Sequence, residues 1–196
     1  MARCVEMERK TGETDVKVSL GLDGTGKTEV STGAPFFDHM LDAFGRHGLF
    51  DLAVQASGDI EVDAHHTVED CGIVLGRCFA EALGDMVGIT RYGSIALPMD
   101  EALVLAAVDI SGRGQLHYEV DLPTQLCGSF DTQLAEEFWI AFAANAGVTL
   151  HLRSLAGRNT HHILEASFKA AAKALMQAVA LNPRIAGTVP STKGVL

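Results

Sequence analysis

The chain has 196 residues, of which 47% are hydrophobic and 20% charged, a composition typical of a folded globular protein. Its 25 acidic and 15 basic residues give a net charge of -10, which disfavours binding to a nucleic-acid backbone. No apolar run approaches the roughly 18 residues of a membrane span, and the N-terminal residues lack the apolar core of a signal peptide. We therefore expect a cytoplasmic protein that binds neither nucleic acid nor membrane, with its four cysteines reduced.

The first half of the chain predicts two strands, a helix, a third strand and a second helix. Residues 16–22 alternate in polarity as a strand does, and the glycine-containing segment 23–27 leads into a short strand that ends at Val30. This pattern predicts a β-hairpin. A helical segment then begins at Pro35, and after a further strand the apolar spacing predicts a helix over 67–83.

The second half repeats this order of elements. Residues 103–110 and 115–120 flank a Ser-Gly-Arg-Gly turn and predict a second hairpin. A helical segment begins at Thr132, and after another strand the apolar spacing predicts a helix over 163–180. The tail beyond Asn182 contains too many helix breakers to continue that helix.

This internal repeat predicts the fold class. We infer an α+β fold of two duplicated β-β-α-β-α halves, packed about a pseudo-twofold axis as a single domain over 1–196. The halves cover about 1–90 and 91–182, and a C-terminal tail covers 183–196.

A His-His-x-x-Glu motif lies near the start of the last helix in each half, and the two copies are 96 positions apart. On a helix the first His and the Glu share one face, whereas the second His points elsewhere. Each motif can therefore bind one cation through its i, i+4 pair and offer its second imidazole to another cation. An isolated His pair is more often structural, but duplication of the whole motif favours metal. The motif residues are His65, His66 and Glu69, and His161, His162 and Glu165.

The first helix of each half supplies one more candidate ligand at an equivalent position, His39 and Glu137. Glu136, beside Glu137, is an alternative, and Glu137 could instead be a surface residue. Mixed imidazole and carboxylate ligands suit Mn, Fe, Co, Ni or Zn. The predicted division over two cations is His39, His66, His161 and Glu165 for one, and His65, Glu69, Glu137 and His162 for the other.

Four segments, in order, resemble the motifs of the imidazoleglycerol-phosphate dehydratases of histidine biosynthesis. The resemblance runs from about Glu13 to the C-terminus. It implies a duplicated fold related to ribosomal protein S5 domain 2, two Mn(II) ions per active site, and a hollow homo-oligomer of two dozen subunits with sites between subunits. The segments are Phe37-Asp-His-Met-Leu-Asp, Asp63-x-His-His-x-x-Glu-Asp, Gly157-Arg-Asn-Thr-His-His-Ile-Leu-Glu-Ala and the C-terminal Ser-Thr-Lys-Gly-Val-Leu.

The resemblance also implies the groups that contact substrate. Glu13 matches a family position that approaches the substrate from a neighbouring subunit, which makes it a candidate acid or base, although it could be a surface Glu before a strand. His47 falls in a substrate-lining stretch or is a helix-end histidine. The implied phosphate contacts are Arg91, Arg113, Lys169, Ser191 and Lys193.

The implied reaction is the dehydration of imidazole glycerol phosphate to imidazole acetol phosphate. The proton leaves a carbon with no neighbouring carbonyl, so its acidity must come from the ring. Two cations at the ring nitrogens would stabilise an imidazolate and help to expel the hydroxyl through a diazafulvene-like intermediate. A dinuclear phosphohydrolase is the alternative enzyme. A metal-storing cage is the alternative among non-enzymes, although such cages are helical bundles and the predicted strands argue against it.

Overall fold

The structure, a computed structural model, describes residues 3–196. Its elements follow the order β-β-β-α-β-α twice, and the second copy carries a short extra hairpin. The first copy consists of β1 (Cys4–Lys10), β2 (Thr14–Gly21), β3 (Thr28–Ser31), α1 (Pro35–Gly48), β4 (Asp51–Gly58) and α2 (His65–Leu83). The second consists of β5 (Tyr92–Met99), β6 (Ala102–Ile110), β7 (Gln115–Glu119), the hairpin β8 (Leu126–Cys127) and β9 (Phe130–Asp131), α3 (Leu134–Ala146), β10 (Val148–Ala156) and α4 (Thr160–Val179), before a 3-10 turn (Pro183–Ile185).

The two sheets have the same topology, which confirms the predicted α+β class and the duplication. Their strand orders are β1-β2-β4-β3 and β5-β6-β10-β7. Each half contains one strand more than the sequence predicted, because β1 and β5 were not recognised. β1 alternates exposed and half-buried residues with no buried position, and β5 contains Gly93 and Pro98, so neither carries a strong apolar signal.

The two predicted hairpins are wrong in their pairing. β2 is antiparallel to β1 on one side and to β4 on the other, so it has no free edge for β3. β3 therefore crosses over and pairs in parallel with the outer edge of β4, and β7 pairs in parallel with β10 in the same way. A glycine-rich connection permits either a tight turn or a crossover. The edge strand that the sequence did not predict, β1 or β5, excludes the tight turn.

The helices lie between the two sheets and pair across the halves. α2 packs on β1 and β2, and α4 packs on β5 and β6. α1 of the first half contacts α4 of the second, whereas α3 of the second half contacts α2 of the first. This exchange is what a pseudo-twofold axis requires. None of the helices described is long and apolar enough to cross a membrane.

An aromatic cluster holds the four helices together at the centre. Trp139 packs at a tilt against Phe44 of α1 and Phe168 of α4, with ring centroids 5.9 and 4.8 Å apart, and Phe142 packs edge-on against Phe79 of α2 at 5.3 Å. All of these rings are fully buried. Burial of a large aromatic side chain stabilises a fold by about 1.5 to 3 kcal/mol, so the helix layer holds its geometry without a bound ion.

Close approach of α2 and α3 depends on two glycines. A Cβ atom at Gly72 would lie 2.6 Å from the carbonyl oxygen of Phe138, and one at Gly76 would lie 2.6 Å from that of Phe142. The two helices therefore run in the same direction in near backbone contact. If the same register continues toward the N-terminal ends of both helices, the turn of α2 that contains Glu69 lies beside the turn of α3 that contains Glu137.

Candidate metal centre

Three of the predicted ligands converge where α1 meets α4. The Nε2 atoms of His161 and His39 lie 3.1 and 3.4 Å from Oε2 of Glu165. One ligand atom from each of the three residues lies within 4.8 Å of the other two. Two imidazoles and one carboxylate at this separation form a partial coordination shell for a divalent transition metal.

Local sequence fixes the geometry of this group. The side chain of Asn159 caps α4 by accepting hydrogen bonds from the backbone N–H groups of His161 and His162, so the helix begins just before the two imidazoles. Glu165 lies one turn further along, on the same face as His161, and is buried. The order of residues along α4 thus sets the His161 and Glu165 pair, and packing against α1 adds His39.

Glu165 is held ionised. Burial raises the pKa of its carboxyl, but the hydrogen bond and charge of Lys169, whose Nζ lies 2.6 Å from Oε1, lower it, and His39 and His161 lower it further. The net effect is a lowered pKa. Lys169 therefore neutralises Oε1, while Oε2 faces the two imidazoles, with which it could bind a cation.

An open cavity of ≈ 520 Å³ adjoins this group. His39 and His161 form part of its wall, together with Phe36, whose ring packs edge-on against His161 with centroids 5.2 Å apart. The other lining residues are Pro35, Cys127, Gly128 and Ser129. An ion bound at the imidazoles would thus face a space that a small molecule can enter.

The equivalent group in the other half is not assembled in the same way. Internal symmetry relates it to His65 and Glu69 on α2 and to Glu137 in the first turn of α3, all half-buried. Within residues 3–196, no second group of three ligand atoms lies within 4.8 Å. This group has two carboxylates, which repel each other, and one imidazole, whereas the first group has two imidazoles and one carboxylate.

The remaining histidine of each motif points away from these groups and toward a carboxylate. His66 places Nδ1 3.0 Å from Oδ2 of Asp59 and 3.8 Å from Oε2 of Glu13. His162 places Nδ1 2.7 Å from Oε2 of Glu101. Within one chain, His66 therefore lies outside the group of His39, His161 and Glu165 to which it was assigned.

Four of the five predicted phosphate contacts belong to the C-terminal tail or lie beside it: Ser191 and Lys193 are in the tail, and Arg91 and Arg113 are near it. The fifth, Lys169, lies on α4 and pairs with Glu165. Arg91 donates through Nε to Asp109 and through Nη1 to the carbonyl oxygen of Pro190. The C-terminal residue Leu196 lies close to Gly112, beside Arg113, since a Cβ at Gly112 would be 3.2 Å from its carbonyl carbon. The tail thus folds back over Arg91 and Arg113.

Two of the basic side chains in this region are exposed to solvent. Lys193 and Arg113 are exposed, and the hydroxyl of Ser191 accepts a hydrogen bond from the Lys193 backbone. Arg91 is mainly engaged within the chain, and Lys169 is paired with Glu165. Arg113 donates a hydrogen bond to the carbonyl oxygen of Ser111, but within residues 3–196 neither Arg113 nor Lys193 is in an ion pair. An anion would therefore meet two exposed cations there.

His47 lies in the last turn of α1, half-buried and near α4. Burial lowers its pKa, and the positive charges of Lys169 and Lys173 lower it further. His47 is therefore kept neutral beside the same lysines. This environment is compatible with its prediction as a substrate-lining residue, which stays a prediction.

Sequence reasoning missed the carboxylates of Asp59 and Glu101. Glu101 aligns with Glu13 in the internal repeat, which was a signal, but no pattern indicates that either residue faces a histidine. Asp59 follows β4 in a loop and has no counterpart with that role in the second half. Only tertiary structure brings each carboxylate to its imidazole.

Comparison with known proteins identifies the family. A family model described as imidazoleglycerol-phosphate dehydratase matches residues 32–175. The imidazoleglycerol-phosphate dehydratase of Acidiphilium cryptum (strain JF-5) is 57% identical over 196 residues, covering 100% of both chains. That of Symbiobacterium thermophilum is 58% identical over 194 residues, covering 99% of this chain and 93% of its own.

Two solved structures have the same fold. The crystal structure of imidazoleglycerol-phosphate dehydratase from Staphylococcus aureus subsp. aureus N315 gives a TM-score of 0.83 at 37% identity, covering 91% of this chain and 99% of that one. That from Pyrococcus furiosus, in complex with (S)-C348, gives 0.84 at 38% identity, covering 97% and 100%. With the family model and the full-length relatives, these findings confirm the resemblance: the chain belongs to the imidazoleglycerol-phosphate dehydratase family, hydro-lyases that dehydrate imidazole glycerol phosphate in histidine biosynthesis.

Proposed function

We propose that the chain carries out its family's reaction at a site that holds two Mn(II) ions. The observation that carries this proposal is the convergence of His39, His161 and Glu165 across the α1 and α4 interface. The proposed ligand sets are His39, His66, His161 and Glu165 for one ion, and His65, Glu69, Glu137 and His162 for the other.

Internal symmetry supports the second set. The α2 and α3 pair is the symmetry counterpart of the α1 and α4 pair, and its contact at Gly72 and Phe138 puts Glu69 and Glu137 on neighbouring turns. His65 is one turn before Glu69 on the same face. A bound cation would offset the repulsion between the two carboxylates and draw the three side chains together.

The fourth ligand of each set points to assembly between subunits. His66 and His162 face solvent-accessible carboxylates at the edge of the chain and not the ligand group of their own chain. A neighbouring copy can supply the missing imidazole to each set. We therefore propose a homo-oligomer, which the resemblance implies is a cage of two dozen subunits. We also propose that the chain is a single domain whose halves meet near residue 90, and that the protein is cytoplasmic.

The donor set fits the proposed metal. Oxygen and imidazole nitrogen ligands with no thiolate suit a harder divalent ion such as Mn(II), and the set that contains Glu137 has two carboxylates. Divalent ions bound there would supply Lewis acidity toward the nitrogens of the substrate's imidazole ring. The protein's part is to hold the ring, the glycerol chain and the phosphate in one orientation.

Phosphate binding falls to the basic end of the second half. Arg113 and Lys193 are exposed cations that the folded-back tail brings to the same region, while Arg91 fixes that tail through Pro190. Ser191 and Lys169 complete the proposed contacts, with His47 nearby. This local positive charge admits an anionic substrate to a chain whose net charge is -10.

Glu13 is the proposed proton-transfer group. Its side chain is 60% exposed, and its Oε2 lies 3.8 Å from Nδ1 of His66 without a shorter partner of its own. If His66 reaches the ion of a neighbouring copy, Glu13 reaches the substrate bound there. A free carboxylate can take the proton from the carbon next to the departing hydroxyl, and the resulting enol gives the ketone.

A single titration tests the proposal. Metal-free protein is supplied with Mn(II), Zn(II) or Mg(II), and the ketone and inorganic phosphate are both measured with imidazole glycerol phosphate as substrate. We expect ketone formation that rises to a plateau at two Mn(II) ions per subunit and no phosphate release. Phosphate release without ketone would instead favour the dinuclear hydrolase, and full turnover without added metal would remove the ions from the reaction.

A further inference from the structure

In each half of the chain, the second histidine of the His-His-x-x-Glu motif is hydrogen-bonded to a carboxylate, but the carboxylate comes from a different position in each half. In the second half, Glu101 accepts from Nδ1 of His162 at 2.7 Å. In the first half, Asp59 accepts from Nδ1 of His66 at 3.0 Å, while Glu13, the repeat counterpart of Glu101, stays 3.8 Å away. The duplication has therefore placed equivalent glutamates in unequal roles.

Glu101 is fixed from three directions. It lies in the two-residue turn between β5 and β6, where Asp100 adopts a φ of 48° that Asp tolerates better than most residues. Its Oε1 accepts the backbone N–H groups of Asn159 and Arg158 at 2.9 and 3.2 Å, and its Oε2 faces His162. The hairpin tip is thereby tied to the loop that starts α4.

This arrangement decides which nitrogen of His162 is free. An ionised carboxylate only accepts hydrogen bonds, so Nδ1 of the imidazole must carry the proton that it donates to Glu101. In the neutral ring the lone pair is then on Nε2, the atom available to a cation. The same reasoning applies to His66 and Asp59. Carboxylates that orient ligand histidines in this way typically change metal affinity or activity by about 10- to 100-fold when removed.

We infer that Glu101 and Asp59 are positioning residues, which present Nε2 of His162 and His66 to the two metal ions, and that Glu13 is left free of that task. The inference rests on the proposed two-ion site and deepens it. It assigns Glu101 to the ion bound by His162 and Asp59 to the ion bound by His66. It also explains why only one of two repeat-equivalent glutamates can transfer protons, since both oxygens of Glu101 are already occupied.

The informative variant is Glu101→Gln. The amide oxygen can still accept from the backbone of Asn159, so the start of α4 keeps its tie, but the amide N–H group then faces Nδ1 and favours the tautomer that protonates Nε2. Metal binding to the full-length protein is measured by the electron paramagnetic resonance signal of unbound Mn(II). We expect one ion per subunit to keep its affinity and the other to weaken at least about tenfold. Asp59→Asn should weaken the other ion.

Two controls separate positioning from catalysis. Glu13→Gln should keep both ions at the wild-type affinity while turnover falls, and excess Mn(II) should not restore it. Turnover of Glu101→Gln should recover with excess Mn(II), because only metal retention is impaired. If wild type binds two ions and Glu101→Gln binds both unchanged, the inference is wrong; if wild type binds fewer than two, the proposed site itself fails.

Discussion

Nε2 of His39, on the first helix of the first half, lies 3.4 Å from Oε2 of Glu165, on the last helix of the second half. His161 reaches the same oxygen from the turn before, at 3.1 Å. One buried carboxylate is thus shared by imidazoles from both halves, and the ion site exists only when the halves are packed together.

Glu165→Gln should remove the ion of this group. The amide has no negative charge and leaves Lys169 without its partner, so we expect turnover to fall more than about 100-fold, beyond the range for losing a group that merely orients a ligand. The metal-free protein should keep its circular dichroism spectrum because the aromatic core is untouched. His65→Ala and Glu69→Gln should do the same to the other ion. Near wild-type turnover in any of the three would contradict the two-ion assignment.

Arg113→Ala and Lys193→Ala should weaken recognition of the phosphate. Each residue is proposed to make one charge-assisted hydrogen bond, worth about 1.5 to 3 kcal/mol, so KM for imidazole glycerol phosphate should rise roughly 10- to 100-fold. Binding of an imidazole ligand without phosphate, measured by calorimetry, should change little. An equal loss for both ligands would place these side chains elsewhere in the site.

Glu137→His should change the metal preference of one site only. With Glu137, that site has two imidazoles and two carboxylates, whereas the other has three imidazoles and one carboxylate. The substitution should keep both ions bound and raise the ratio of Zn to Mn affinity where Glu137 is a ligand, because imidazole is the softer donor. Anomalous diffraction at the Mn and Zn edges reports each site separately. Unchanged ratios at both sites, or an ion more than about 3 Å from Glu137 where ligand bonds are near 2 Å, would remove it from the set.

The Glu101 and His162 pair should give the metal-free protein a pH-dependent stability. The hydrogen bond from His162 and those from the backbone of Asn159 and Arg158 lower the pKa of Glu101 from 4.5 to about 2, so its contribution is complete above pH 4.5 and is lost as the pH falls through about 2. The hydrogen bond to Glu101 raises the pKa of His162 above 6.5, so that contribution is complete below pH 6.5 and is lost as the pH rises through the raised value.

Both shifts describe one ion pair, so the pair is strongest between about pH 4.5 and 6.5. The difference in unfolding free energy between wild type and Glu101→Gln should therefore be largest in that window and smaller on either side. Urea denaturation of metal-free protein at a series of pH values measures it. A difference that rises steadily across the whole range would show that other groups dominate.

Gly72→Ala should destabilise the fold. The added methyl group meets the backbone oxygen of Phe138 at 2.6 Å and the Cβ of Ala141 at 2.9 Å, and helix backbone cannot give way as a side chain can. We expect a loss of about 1 to 3 kcal/mol, reduced in part by the better helix propensity of Ala. Thermal unfolding measures the loss. Gly12→Ala is the matched control, because a Cβ there has no atom within 4 Å, and its stability should stay within about 0.5 kcal/mol of wild type.

The duplication, the helices and the candidate metal ligands could all be predicted from residue order and spacing along the chain. The two His-His-x-x-Glu motifs predict metal ligands through helical spacing, which is a local property of the chain, and they lie at the starts of α2 and α4 as that spacing requires. The family could likewise be inferred from short segments in order. These features need no knowledge of which elements meet in space.

The pairing of the strands and the meeting of the candidate ligands could not be predicted in this way. The connection from β2 to β3 contains the same glycines whether it turns back or crosses over, and only the weakly patterned edge strand β1, by occupying the near edge of β2, excludes the hairpin. His39 joins His161 because α1 packs on α4 of the other half, and Glu101 reaches His162 because a hairpin tip meets a helix start. Such contacts depend on the packing of distant segments, which residue spacing along the chain does not encode.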